Sequence, residues 1–200
     1  MTKRLRGIWH AWHFRFALGS VIKSLCGSFC IACLHPLTRR YVNRRKMINL
    51  HEEAAWVRSK IESVVGKGWF YFGSDFPINA CKHASMLFCY HLTQKGYSKP
   101  IYLVFGISKK RGGEVGHWWV ESEGILVDIT ADQFNLIEDS ELSYKIKTNR
   151  LYLPVYCVPT LNAPHHKVFE LVPKELWAWN EDDISETYLD ELSIFYSRLL

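Results

Sequence analysis

Two hundred residues allow one ordinary domain with an appended segment, and 48% hydrophobic residues, eight of them tryptophan, suffice for a sizeable core. A charged fraction of 22% excludes a disordered polyelectrolyte. The formal charge of +5 averages two unlike parts: ten of the 25 Lys and Arg residues and none of the 20 acids lie in residues 1–46, so the remainder is net acidic and offers no surface for nucleic acid.

Residues 1–46 read as a basic, partly apolar segment ahead of a domain over 47–200. An apolar stretch from Phe16 to Leu34, broken by Lys23, lies between a cationic start and the basic run from Arg39 to Lys46. It approaches the length of a bilayer span, but a central lysine is costly there. Four readings stand: a span, an interfacial helix held to an anionic membrane surface by its basic flanks, a poorly ordered extension, or an upstream start preceding a true start at Met47. Cys26, Cys30, Cys33 and His35 lack the paired Cys-x-x-Cys halves of a structural zinc site, and no metal is assigned. The six cysteines do not form a disulfide pattern, so a reducing, cytoplasmic setting is expected, with association to the inner face of the membrane through the head as an extension of it.

From Met47 the chain turns globular. Glu52 to Val65 predicts a helix, with Ala55, Trp56, Ile61, Val64 and Val65 on its apolar stripe and Gly66 to end it. A turn-rich passage, Gly68 to Pro77, precedes a second helix from about Asn79 to Lys95. The period then changes to two, and Ile101–Ile107, Val115–Glu121, Ile125–Thr130 and Leu151–Val158 read as strands. Asp182 or Asp183 caps a closing helix whose buried side carries Ile184, Tyr188, Leu192, Phe195 and Leu199.

Three residues in this frame carry chemistry. Cys81 sits in the first turn of its helix, where unpaired amides and the macrodipole favour thiolate over thiol; Cys89, deeper in the same helix, reads as core. His117 opens the strand Gly-His-Trp-Trp-Val-Glu, whose alternation puts His117, Trp119 and Glu121 on one face and Trp118 and Val120 on the other. Gly116 leaves room for a close approach by backbone or substrate. Asp128 interrupts an apolar run and needs a partner. With Ser122-Glu123 as a two-residue loop, Asp128 falls directly opposite His117; a three-residue loop would separate them. His83, His91, His165 and His166 have no comparable company, although the last two are polar candidates near a strand end.

The segment from Phe76 to Phe134 resembles the transglutaminase-like branch of the papain-like cysteine enzymes, and more closely a set of bacterial proteins sharing one pattern. Here the matching residues are Phe76, Pro77, Cys81, Ala84, Ser85, Gly106, His117, Trp119, Glu121 and Asp128 through Phe134. The resemblance implies an α+β fold in which the helix bearing the cysteine packs on an antiparallel sheet. It further implies Cys81 as nucleophile, His117 as base and Asp128 as orienting acid, with Ser74, Asn79 and Gln133 as candidates for an oxyanion or helper residue. The expected activity is thiol-dependent acyl transfer on amide bonds of a protein or peptide, of peptidase, deamidase or amidase type, without cofactor. A catalytically silent binding domain of the same fold and a membrane-tethered accessory protein are the alternatives.

Overall fold

The computed structural model describes residues 47–200 apart from Trp69, and every reading of residues 1–46 lies outside that part. Helix α1 runs over Leu50–Val64; the Asn49 side chain caps it by accepting from the amides of His51 and Glu52, and Glu52 and Glu53 occupy its positive end. Its buried face is Ala54, Val57, Arg58, Ile61 and Val64, while Ala55, expected on the apolar stripe, is exposed. Ala54, Val57, Ile61 and Val64 are themselves a helical apolar stripe, and Arg58 shares that face with a specific acidic partner described below.

Helix α2, Cys81–Gln94, begins two residues later than expected, because Asn79 takes a left-handed φ of +58° that no helix accommodates. Beyond its first turn it is almost wholly buried, from Ala84 to Leu92. At its end Gly96 adopts φ +74° and the Tyr97 amide returns to the Leu92 carbonyl at 2.9 Å.

The sheet comprises β1 (Tyr102–Lys110), β2 (Gly113–Ser122), β3 (Ile125–Asp128), β4 (Tyr156–Pro159) and β5 (Glu170–Ala178), in spatial order β4-β3-β2-β1-β5. Every neighbouring pair is antiparallel, so the described chain is α+β. Alternation along the strands feeds two cores. Leu103, Trp118, Val120 and Val127 pack with α1, α2 and the closing helix α6 (Glu186–Leu199). Val104, Trp119 and Leu126 pack on the opposite side with Phe134, Ile146 and Phe169. Those partners come from the segment containing α3 (Gln133–Leu136), α4 (Tyr144–Thr148) and α5 (His165–Val168). Fully buried side chains of this size each contribute about 1.5–3 kcal/mol relative to exposure. Among the described residues no helix is long and apolar enough to cross a membrane.

Three expectations about the elements need correction. The strand anticipated over Leu151–Val158 is only Tyr156–Pro159, and Leu151 adopts φ +83°. The closing helix starts at Glu186 after a short 3-10 turn at Glu181–Asp183, so Ser185 rather than Asp182 or Asp183 precedes it. Its buried residues are Leu192, Phe195, Tyr196 and Leu199, with Ile184 and Tyr188 only partly covered. Strand β5 was not anticipated. It is an edge strand with Pro173 inside it, mostly exposed, and its pairing with β1 slips between Val104 and Gly106, so it shows no clean period of two.

The β2–β3 hairpin also closes differently. Its loop is Glu123-Gly124, with φ +49° and +74°, the conformation that suits a two-residue turn between twisted strands. Glu121 therefore faces Leu126 and Ser122 faces Ile125, a register two residues away from the expected one. A shift of two preserves the faces. His117 and Asp128 stay on one side of the sheet as diagonal rather than direct neighbours.

Candidate active site

Cys81 is the first residue of α2, so its amide belongs to the first turn, where no intrahelical acceptor exists. Its side chain is half-buried. Burial alone would raise the thiol pKa; the hydrogen bond and charge of His117, with the backbone N–H of Trp118, outweigh burial and lower it, against a smaller opposing effect of Asp128. The other described cysteines go the opposite way: burial raises the thiol pKa of both Cys89 and Cys157. The sequence-predicted nucleophile is thus the one thiol among the described residues held toward its anionic form.

His117 is 0% exposed and is packed against Phe134, Trp119 and Phe169. Its Nε2 donates to Asp128 Oδ2 at 2.6 Å, and its Nδ1 lies 3.0 Å from Gln133 Nε2. Burial pulls the imidazole pKa down, but the Asp128 charge and hydrogen bond, with a further contribution from Cys81, carry it well above the ordinary histidine range. Opposite His117 on β1 stands Gly106, where a Cβ would come within 2.7 Å of the Trp119 ring and 2.8 Å of Phe169 Cβ. Glycine there is what lets both side chains close over the histidine. The room expected at Gly116 is taken by the Phe105 ring, which a Cβ would meet at 2.7 Å.

Asp128, 1% exposed, is satisfied on both oxygens. Oδ1 accepts from the Thr130 amide at 2.8 Å and the Thr130 hydroxyl at 3.1 Å, and Oδ2 accepts from His117 and from His165 Nε2 at 2.8 Å. Burial opposes its ionisation, yet His117 and His165 hold the carboxyl far below the usual carboxylate range. His165 is the residue that sequence reasoning missed: it sits on α5, far along the chain, and only its place beside a strand end hinted at it.

Of the three helper candidates, Gln133 touches the His117 ring. Asn79 is exposed and shares with Gln133, Gly116 and Phe134 the lining of a cavity of about 440 Å³. Ser74 is exposed in the turn before α2 and does not line that cavity.

Comparison with family models, curated proteins and solved structures finds no match to this chain.

Asp132 and Glu121 brace the elements around these residues. Arg58 spans the gap from α1, donating through Nη1 and Nη2 to the two Asp132 oxygens at 2.8 Å each and through Nη1 to the Ile129 carbonyl at 2.7 Å. Its guanidinium lies 4.6 Å from the Phe76 ring centre. Asp132 is therefore an anchor for the loop that follows Asp128. Glu121 accepts from the Trp119 indole at 2.8 Å and from His166 Nε2 at 2.7 Å, holding β2 against α5.

His117, Asp128 and His165 bring three potential metal-ligand atoms together, with burial all round. Their spacing is that of hydrogen bonds, at 2.6 and 2.8 Å from the shared oxygen. Tetrahedral zinc, with bonds near 2.0–2.1 Å, would set its ligand atoms about 3.3 Å apart. The cluster as arranged fits protons better than a metal ion.

Proposed function

We propose that the chain is a thiol-dependent acyl-transfer enzyme of the transglutaminase-like, papain-like type, acting on amide bonds of a protein or peptide. The observation that carries this reading is the His117–Asp128 pair, in which the ring donates at 2.6 Å to a carboxylate satisfied on both oxygens, and the same ring draws the Cys81 thiol toward its anion. The opposite pKa directions at Cys81 and at Cys89 and Cys157 support it.

In the proposed cycle the Cys81 thiolate attacks the amide carbon, forming a C–S bond and a tetrahedral oxyanion. The Cys81 amide at the start of α2 is a donor for that oxyanion, a contribution of about 2.7–4 kcal/mol where it applies. The C–N bond breaks as the His117 imidazolium protonates the departing amine, leaving a thioester. Water attacks with His117 accepting its proton, and collapse releases the carboxylic acid, the thiolate and the imidazolium. An amine in place of water gives transfer by the same steps. Asp128 holds the ring with Nε2 protonated throughout, leaving Nδ1 as the atom that gives and takes the proton. Gln133 supports the neutral ring by donating to Nδ1; rotation of its amide presents Oε1 to the protonated one. A reducing, cytoplasmic setting belongs to the same proposal, since a free thiol is required.

Acyl trapping tests it. Incubation with p-nitrophenyl acetate should give a burst of nitrophenolate and a single acetyl adduct on Cys81, lost in Cys81→Ala and slowed at least tenfold in His117→Ala. Acetylation spread over several residues and unaffected by Cys81→Ala would overturn the reading.

A further inference from the structure

We propose that His165 is a positioning residue that governs how readily His117 gives up its proton, acting through the carboxylate oxygen the two histidines share. Its bearing on catalysis rests on the thiol-enzyme reading; the hydrogen-bond arrangement itself does not.

Both histidines reach Asp128 Oδ2 through Nε2, at 2.6 Å for His117 and 2.8 Å for His165. Both rings are buried, and their centres lie 5.9 Å apart, so two imidazolium cations there would face one another in a volume with one carboxylate. His165 Nδ1 is buried and has no hydrogen-bond partner among the described residues. A cation would leave that N–H unpaired and desolvated, whereas the neutral Nε2–H tautomer leaves only a lone pair there. The surrounding titratable groups agree. Asp128 on β3 favours a charge on His165, but burial dominates, and the positive His117 on β2 and the neighbouring His166 on α5 add to it. His166 is itself bound by Glu121 on β2, Tyr156 on β4 meets the His165 ring edge-on at 5.2 Å, and Cys81 lies beyond His117 on α2. His165 is therefore a neutral donor.

A neutral N–H on Oδ2 occupies acceptor capacity that would otherwise go to His117, and its dipole points its positive end toward the imidazolium. Both effects make the His117 proton easier to lose than it would be beside Asp128 and Thr130 alone. A base locked in its protonated form by its carboxylate would not turn over, and His165 counters that. Removing it should therefore raise the pH at which His117 deprotonates. Replacement by phenylalanine makes the pocket more apolar, which by itself would lower that pH, so the two explanations predict opposite signs.

The experiment uses isotope-labelled full-length protein: wild type, His165→Phe and His165→Gln. Imidazole nitrogen resonances of His117 are followed by NMR from about pH 6 to pH 11, and Cys81 alkylation by iodoacetamide is measured over the same range. His165 should show a protonated Nε2 and an unprotonated Nδ1 near neutral pH. His165→Phe should move the His117 titration upward by about one pH unit, the scale of one hydrogen bond to a charged group. His165→Gln, which keeps an N–H donor, should restore most of the wild-type titration. An unchanged or lowered His117 titration in His165→Phe, or a His165 protonated on Nδ1, would overturn the proposal. Should the phenylalanine variant not fold, the wild-type tautomer and the glutamine titration decide it. An unreactive wild-type Cys81 would defeat the enzyme reading alone, because the ring titration stands without it.

Discussion

His117 Nε2 and Asp128 Oδ2 meet at 2.6 Å although the two residues are diagonal, not opposite, across the β2–β3 hairpin. A hairpin loop moved along by one residue changed the partner while keeping the face, and an aspartate held by the Thr130 amide and hydroxyl still reaches the ring. The contact survives because the side-chain period of a strand is two.

Asp128→Asn removes the charge that retains the proton on His117 and places an amide where two histidine N–H groups and Thr130 all need an acceptor. Cys81 alkylation at neutral pH should fall about tenfold or more, because without the imidazolium the thiol returns toward its ordinary pKa of about 8.5. Stability should also drop by about 3–5 kcal/mol, because one partner of a buried charged cluster has gone. Intact-protein mass spectrometry and urea denaturation measure the two effects.

Arg58→Met tests whether the second aspartate of the motif is an anchor. The change leaves Asp132 without its bidentate partner and the Ile129 carbonyl without a donor. Unfolding free energy should fall by about 3 kcal/mol, with a smaller effect in Asp132→Asn, where the more exposed member of the pair is altered. A loss under 0.5 kcal/mol for Arg58→Met would remove the anchoring role.

Gly106→Ala asks whether the floor beneath His117 is as tight as the distances suggest. A methyl group 2.7 Å from the Trp119 ring forces overpacking, with an expected cost of about 1–3 kcal/mol. A thermal midpoint equal to the wild-type value would show that the two side chains yield freely.

Stability should fall on acidification from neutrality. His91 and His165 are buried, and burial lowers their pKa values more than Glu53 and Asp128 raise them, while burial and Lys82 lower that of His83. In the unfolded chain these rings protonate near pH 6.5, so below that pH the unfolded state binds more protons and gains on the native one. His117, whose pKa is raised, contributes fully below about 6.5 and loses its contribution only as pH climbs toward its folded value. Asp128, whose pKa is depressed, contributes above about 3.9 and loses its share as pH falls below that. The acid limb between about pH 7 and 5 therefore belongs to the neutral histidines, and His91→Gln should make it shallower in urea titrations. An acid limb of unchanged slope in that variant would contradict the assignment.

Much of the α+β frame was legible because its signals are local. The acids at the start of α1, the glycine after α2 and the alternation through His117, Trp118 and Trp119 each report on their own neighbours in the chain. What escaped was decided at a distance. Arg58, a charge on the buried face of α1, finds its partner at Asp132, 74 residues on. His165 joined Asp128 from a helix of four residues, too short to leave a periodic trace. Strand β5 pairs with the outer edge of β1, and its own residues, with a proline and little burial, show no clean period of two. The cysteine, histidine and aspartate could be picked out because each breaks a local rule: a thiol at a helix tip, and polar groups in apolar runs.

Site-resolved alkylation of full-length protein by iodoacetamide, read by peptide mass spectrometry across pH, tests the central claim most directly. Cys81 should react well ahead of Cys89 and Cys157 at neutral pH, retain that lead below the ordinary thiol pKa of about 8.5, and lose it in His117→Ala. Uniformly slow labelling of the three cysteines, indifferent to His117, would contradict the account.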